Sequence, residues 1–221
     1  MIATKRNLFI RLLELLMIFF AFLFLTPFYF VLVNSLKPFG EILNNAASLP
    51  TVVAWTNYSN AFQKINFISV LLNSLSITVG SIILLVVMGS MASWWMVRNR
   101  SNFTTILFYA CIAAMITPFQ SFMIPLMRVV TSLHLANSRV GLIAVYLGYS
   151  TPFTIFLYHG FIKSVPIQME ESALIDGCNR FQIYFHIVLP LIRSMTVTVI
   201  ILQTLLIWND FLNEQLVFSG R

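Results

Sequence analysis

Of 221 residues, 59% are hydrophobic and only 9% are charged, against roughly 45–50% and about 25% in an ordinary soluble domain. That composition excludes a soluble globular chain and points to an all-α integral membrane protein, a polytopic helical bundle. The formal charge of +6 would fit a nucleic-acid partner in a soluble domain, but the polar segments are too few to build a basic face; the charge is therefore read as membrane topology.

A hydrocarbon core of about 30 Å is crossed by roughly 20 apolar residues in a helix. Five stretches meet that requirement, at 8–34, 67–97, 103–126, 139–162 and 191–217. The first follows a basic flank but continues from Leu15 to Asn34, longer than a signal-peptide core of about 7 to 15 residues, so it is read as a retained first span. Gly89, Ser90, Met91, Ala92 and Ser93 place small residues four apart in the second, predicting a close helix contact within the chain or with a second membrane chain. Pro27, Pro118, Pro125 and Pro152 can kink or break their spans.

Lys5, Arg6 and Arg11 precede the first span, Arg98 and Arg100 follow the second, and Lys163, Arg180 and Arg193 lie in or beside the segment after the fourth. The opposite side carries Lys37, Lys64, Arg128, Arg139 and Arg221. The positive-inside rule favours a cytoplasmic N-terminus and, after an odd number of spans, an external C-terminus. Cys111 lies in an apolar run and Cys178 in a polar one, so both are expected as free thiols.

Between the fourth and fifth spans the chain reads EESALIDGCNRFQIYFHIVLP from residue 170, and it concentrates three of seven carboxylates, Glu170, Glu171 and Asp176, there. Ser164 is the expected N-cap of a short helix with Pro166 in its first turn, and Gly177 its left-handed C-terminal stop. Asn179 and Gln182 have the spacing of a capping box that opens a second helix, with Phe181, Tyr184, Phe185 and Val188 on one face and Pro190 near its end. Neither helix is long enough to cross a bilayer, so the unit lies on the cytoplasmic side. It is either a solvated amphipathic connector or a docking element for a partner.

The series Glu171-Ser172-Ala173, Asp176-Gly177 and Ile187-Val188-Leu189-Pro190 resembles the EAA loop of ABC importer permeases, whose pattern is E-A-A, two residues, D-G, nine residues, I-x-L-P. Ser172 and Cys178 depart from it toward residues of similar size. Trp55-Thr56-Asn57-Tyr58, Asn73-Ser74, Ala173-Leu174-Ile175-Asp176-Gly177 and Trp208-Asn209-Asp210-Phe211 are similar to signatures of the maltose-type, carbohydrate branch. The resemblance implies one type I ABC importer transmembrane domain over residues 1–221. Five spans are visible where the family has six, so the last helix is expected to be missing.

It also implies that residues 163–190 form a cytoplasmic loop whose coupling helix seats in an ATPase, through Glu171, Ser172, Ala173, Asp176, Gly177, Ile187, Leu189 and Pro190. The implied partners are a second homologous permease, an ATP-binding-cassette ATPase dimer, an extracytoplasmic solute-binding protein, membrane lipid and a sugar, in a bacterial or archaeal inner membrane. No Walker G-x-x-x-x-G-K-[ST] occurs. ATP and Mg would therefore be used by the partner chain, and this chain is expected to bind no cofactor and to catalyse nothing.

Polar groups within spans are costly and often functional. Asn73, Gln120, Gln203, Asn209 and Asp210 are candidates for a translocation path; for Asn73 and Gln203 a hydrogen bond to a neighbouring helix is the commoner use of such groups, and Asn209 and Asp210 could meet headgroups. His134, His159 and His186 are scattered, with no motif for a metal. An ion-gradient-driven secondary transporter or channel would require ionisable groups in mid-span, and a membrane enzyme a clustered catalytic set. Neither pattern is present in the sequence.

Overall fold

An apolar run in lipid must satisfy its backbone groups internally, which a helix does, and the apolar runs of the described residues accordingly fold into helices. The computed structural model describes residues 2–210 with 213, 214 and 217, and side chains from Phe9 onward. The chain divides into two compact units, Met1–Val70 and Leu71–Arg221. Among the described residues, three helices are long and apolar enough to cross a membrane, or up to five if each of two bent pairs counts as one span.

In the first unit, α1 (Ile2–Ser35) carries the apolar stretch Phe9–Ser35 and keeps Pro27 within the helix. Short helices α2 (Phe39–Asn44) and α3 (Thr56–Lys64) follow. Lys37 is fully buried, and its ammonium donates to the carbonyls of Asn45 at 3.0 Å and Ala46 at 3.3 Å. The end of α1 exposes carbonyls that its own helix cannot satisfy. Asn57 of the Trp-Thr-Asn-Tyr stretch reaches them, its amide donating to Ser35 O at 3.0 Å and Lys37 O at 2.8 Å.

The second unit is built on α4 (Phe67–Arg98, from Leu71 onward), α5 (Asn102–Ile116), α6 (Phe119–Ser132) and α7 (Arg139–Ile162). Helices α4 and α7 follow the second and fourth expected spans closely. The third, expected as one span over 103–126, is broken: α5 and α6 meet at 107°. Pro118 lacks an amide hydrogen and pushes Thr117 to an extended conformation with ψ 121°, which ends α5. Pro125 and Pro152, by contrast, are absorbed inside their helices.

The fifth span, expected at 191–217, begins as α11 (Arg193–Trp208), bent by 76° from the helical stretch Arg180–Leu191 before it. Of the expected span beyond Asp210, only residues 213, 214 and 217 are described, and Phe211 and the terminal Ser219-Gly220-Arg221 lie outside the described residues.

The small residues of α4 make their close contact within the chain. A Cβ added at Gly89 would stand 2.5 Å from Thr154 Cγ2 on α7. Ser93 Oγ donates to Ile155 O at 3.1 Å, and the Ser90 and Tyr184 hydroxyls share a hydrogen bond. One apolar cluster gathers Tyr158, Ile162, Ile183, Tyr184, Val188 and Ile192; a second gathers Ile77, Leu85, Leu142, Val145 and Ile207. Both cysteines are free.

Candidate docking site

The polar segment leaves α7 through a turn. Ser164, expected to cap the next helix, instead donates its hydroxyl to Phe161 O at 2.7 Å, closing the end of α7. Val165 is buried and its carbonyl accepts from Arg98 Nη2 at 3.0 Å, so the chain stays out of helix here. Helix α8 (Gln168–Ile175) therefore starts beyond Pro166, with Ile167 at the N-cap position and no side-chain cap.

Two glutamates occupy the first turn of α8, where the helix dipole favours them. Glu170 is only 6% exposed. Its Oε1 accepts from Arg98 Nε at 2.9 Å and Nη2 at 2.7 Å, and its Oε2 accepts from Trp94 Nε1 at 2.9 Å. Both carboxylate oxygens are thus occupied by the last turns of α4. Buried ions are retained when paired and hydrogen-bonded in this way. The small Ala173, also buried, lets α8 approach the apolar cluster around Tyr184.

Apart from Glu170 and Ala173, the helix is open from Glu171 onward. Glu171, Ser172, Leu174, Ile175 and Asp176 are all exposed, Ile175 to 87%. Beside Glu170, a groove of about 250 Å³ runs between Trp94, Arg98, Ile167, Leu174 and Arg180.

The helix stops as expected, at Gly177 with φ +86°. Gly177 N donates to Leu174 O at 3.1 Å and Cys178 N to Ala173 O at 3.0 Å, the paired bonds of a Schellman motif. The capping box also forms: Gln182 N donates to Asn179 Oδ1 at 2.9 Å, and Asn179 N to Gln182 Oε1 at 2.8 Å.

The helix it opens differs from the expectation. A turn of α9 (Arg180–Ile183) widens into a π-helical turn at Tyr184–Val188 and closes as α10 (Leu189–Leu191). Ile183, Tyr184, Val188 and Ile192 face the core, whereas Phe181 is 67% and Phe185 48% exposed. The wide turn shifts the phase of the stripe, which corrects the expected grouping of Phe181, Tyr184, Phe185 and Val188. Ile187 and Leu189 pack partly buried against the same core and Pro190 is exposed.

Of the coupling candidates, then, Glu171, Ser172, Asp176 and Gly177 lie on the open surface, and Ala173, Ile187 and Leu189 face inward. Residues 86–221 match the family described as the binding-protein-dependent transport system inner membrane component. The chain belongs to that family. It is a multi-pass membrane permease of an ABC-type importer, a transport subunit that works with other components of such a system.

The permease is 39% identical over 208 residues to the probable starch degradation products transport system permease protein AmyC of Thermoanaerobacterium thermosulfurigenes, covering 94% of this chain and 76% of that one. It is 32% identical to the diacetylchitobiose uptake system permease protein NgcG of Streptomyces coelicolor, covering 89% of this chain and 65% of that one. Its fold resembles a chain of a bacterial ABC transporter involved in alginate import, with a TM-score of 0.85, 20% identity, and coverage of 96% of this chain and 75% of that one.

The path candidates of the permease differ in burial and bonding. Gln203 is buried and joins α11 to α7, its Nε2 donating to Thr154 Oγ1 at 2.9 Å, the interhelical use weighed for it. Asn73 is half-buried in α4, and Gln120 is exposed at the start of α6. Asn209 Nδ2 closes the end of α11 on Leu205 O at 2.8 Å, and Asp210 accepts from Asn213 N at 3.2 Å. A cavity of about 370 Å³ at the α5–α6 bend, lined by Thr117, Phe122, Tyr149 and Pro152, includes none of the five.

The sequence reading missed the Trp94–Arg98–Glu170 brace. The signal for it is that Arg98 and the polar segment fall on the same side of the membrane by the positive-inside rule.

Proposed function

We propose that the permease carries a sugar or oligosaccharide, delivered by an external solute-binding protein, and that ATP hydrolysed on a separate ATPase dimer drives it through α8. The N-terminus and the segment 163–190 lie in the cytoplasm, and a second homologous permease completes the membrane pathway. The observation that carries this reading is the division of α8 into a face fixed to α4 and a face of exposed mixed residues, among them Ile175 at 87% exposure. Leu174 and Ile175, 59% and 87% exposed side by side on a short polar helix, make an apolar patch that fits a partner's pocket. The names of the relatives, which are permeases for starch degradation products and diacetylchitobiose, support a carbohydrate cargo.

Glu170, fixed by Arg98 and Trp94, transmits displacement of α8 to the end of α4, and the core residues Tyr184 and Val188 carry it to α11. The test is uptake of labelled oligosaccharides into proteoliposomes holding the full assembly with ATP trapped on the ATPase side. Uptake that requires ATP, survives collapse of ion gradients and is lost in Glu171→Lys supports the reading. Uptake that follows an ion gradient without ATP would overturn it in favour of a secondary transporter.

A further inference from the structure

The coupling end of the second unit carries a second feature that the transport reading leaves unused. A cleft of about 430 Å³ lies where the C-terminal ends of α4 and α7 meet the N-terminal half of α5. Arg100, Lys163 and His159 line it together with Thr105, Phe108 and Tyr109, and no carboxylate is among its lining residues. The one ion pair among the described residues is Arg98 with Glu170, so neither Arg100 nor Lys163 is neutralised by a neighbour.

His159 is 8% exposed, stacks on Phe108 with ring centroids 3.8 Å apart, and makes no hydrogen bond among the described residues. Lys163 Nζ sits 5.8 Å from the centroid of that same ring, which holds the ammonium beside the cleft. The first turn of α5, opened by the Ser101–Thr104 capping box, brings the positive end of a 15-residue helix to the same place.

These groups ask for an anion, and the surface beside them asks for hydrocarbon. Phe103, Ile106 and Tyr109 of α5 are 64%, 68% and 65% exposed, and Trp95 packs edge-on against Phe103. Exposed aromatic residues next to basic ones mark the level of lipid headgroups. We propose that this cleft binds the phosphate headgroup of an anionic phospholipid from the leaflet facing the ATPase, with its acyl chains lying along the exposed face of α5.

The proposal rests on the reading of this face as the cytoplasmic membrane surface. A free phosphate would use Arg100 and Lys163 but not the apolar face of α5. The cleft adjoins the α4 end to which the brace is fixed, so an occupied cleft would hold that end at a set depth in the bilayer.

The test is native mass spectrometry of the full chain, titrated separately with phosphatidylglycerol, phosphatidylcholine and inorganic phosphate. Phosphatidylglycerol should be retained in preference to phosphatidylcholine. Its binding should weaken about 25-fold in Arg100→Gln/Lys163→Gln, at about fivefold per basic residue near a membrane surface. Lys163→Arg and the distant Arg139→Gln should keep it.

Equal retention of the two lipids, or retention indifferent to the double variant, overturns the proposal. Inorganic phosphate bound as tightly as phosphatidylglycerol also overturns it, by identifying a free anion. So does a double variant that keeps the lipid but no longer assembles with the second permease, which would make the cleft a protein interface. Loss of the ATPase on changing Ile175 is a separate readout, so the docking reading and the lipid site can fail independently.

Discussion

Glu170 and Glu171 are adjacent in the chain and opposite in circumstance. The first is buried, with both oxygens held by Arg98 and Trp94; the second is exposed on the face that includes Ser172, Leu174, Ile175 and Asp176. One side of α8 is therefore bonded to α4, and the rest of it is exposed, as the proposed docking to a partner requires. A mechanical joint needs both: a helix gripped only by the partner would move without moving the spans, and one gripped only by the spans would not sense the partner. The two faces predict opposite responses to substitution, large in stability on the inner side and large in assembly on the outer.

The largest stability effect is expected from Glu170→Ala, which leaves Arg98 largely buried without its counter-charge. Breaking one side of a buried pair costs about 3 to 5 kcal/mol, and thermal unfolding of the purified permease in detergent should show it as a clearly lowered Tm. A Tm within a degree of the parent would mean that the brace does not hold α8. Next is Gly177→Ala. Space around Gly177 is open, with nothing within 4 Å of an added Cβ, so the cost comes from its φ of +86° alone. A left-handed non-glycine residue costs about 1 to 2 kcal/mol, to be read from the same melts.

Asn179→Ala removes one half of the capping box and should cost about 1 kcal/mol; an unchanged melting curve would show the box to be dispensable. Outward substitutions come last in stability. Ser172→Ala and Ile175→Asp alter exposed positions and should stay within about 0.5 kcal/mol. A large loss of stability in either would show that the outer face is engaged within the chain.

The sequence made legible what depends on neighbours in the chain. The Schellman stop at Gly177 and the Asn179–Gln182 box are short-range, and both form as the sequence predicts. Helices α4 and α7 follow from predominantly apolar stretches of spanning length.

What escaped were effects carried by distant partners or by competition between rules. Glu170 finds Arg98 at a separation of 72 residues, which no local pattern encodes. Pro118 was one of four prolines able to break a span, and it alone breaks its expected span at Thr117, whereas Pro27, Pro125 and Pro152 are carried inside helices. The inward face after Arg180 was misassigned because a π turn, not a regular α-helix, sets its phase. Polarity within a span did not say what each side chain would meet: the amide of Gln203 bonds Thr154, and that of Asn209 bonds its own helix at Leu205.

The most direct measurement pairs Ile175→Asp with Glu170→Ala in the assembled transporter, reading co-purification of the ATPase and the Tm of the permease side by side. Ile175→Asp should lose the ATPase at an unchanged Tm, while Glu170→Ala should lower the Tm. An Ile175→Asp permease that keeps its ATPase and its ATP-driven uptake would contradict the assignment of α8 as the docking helix.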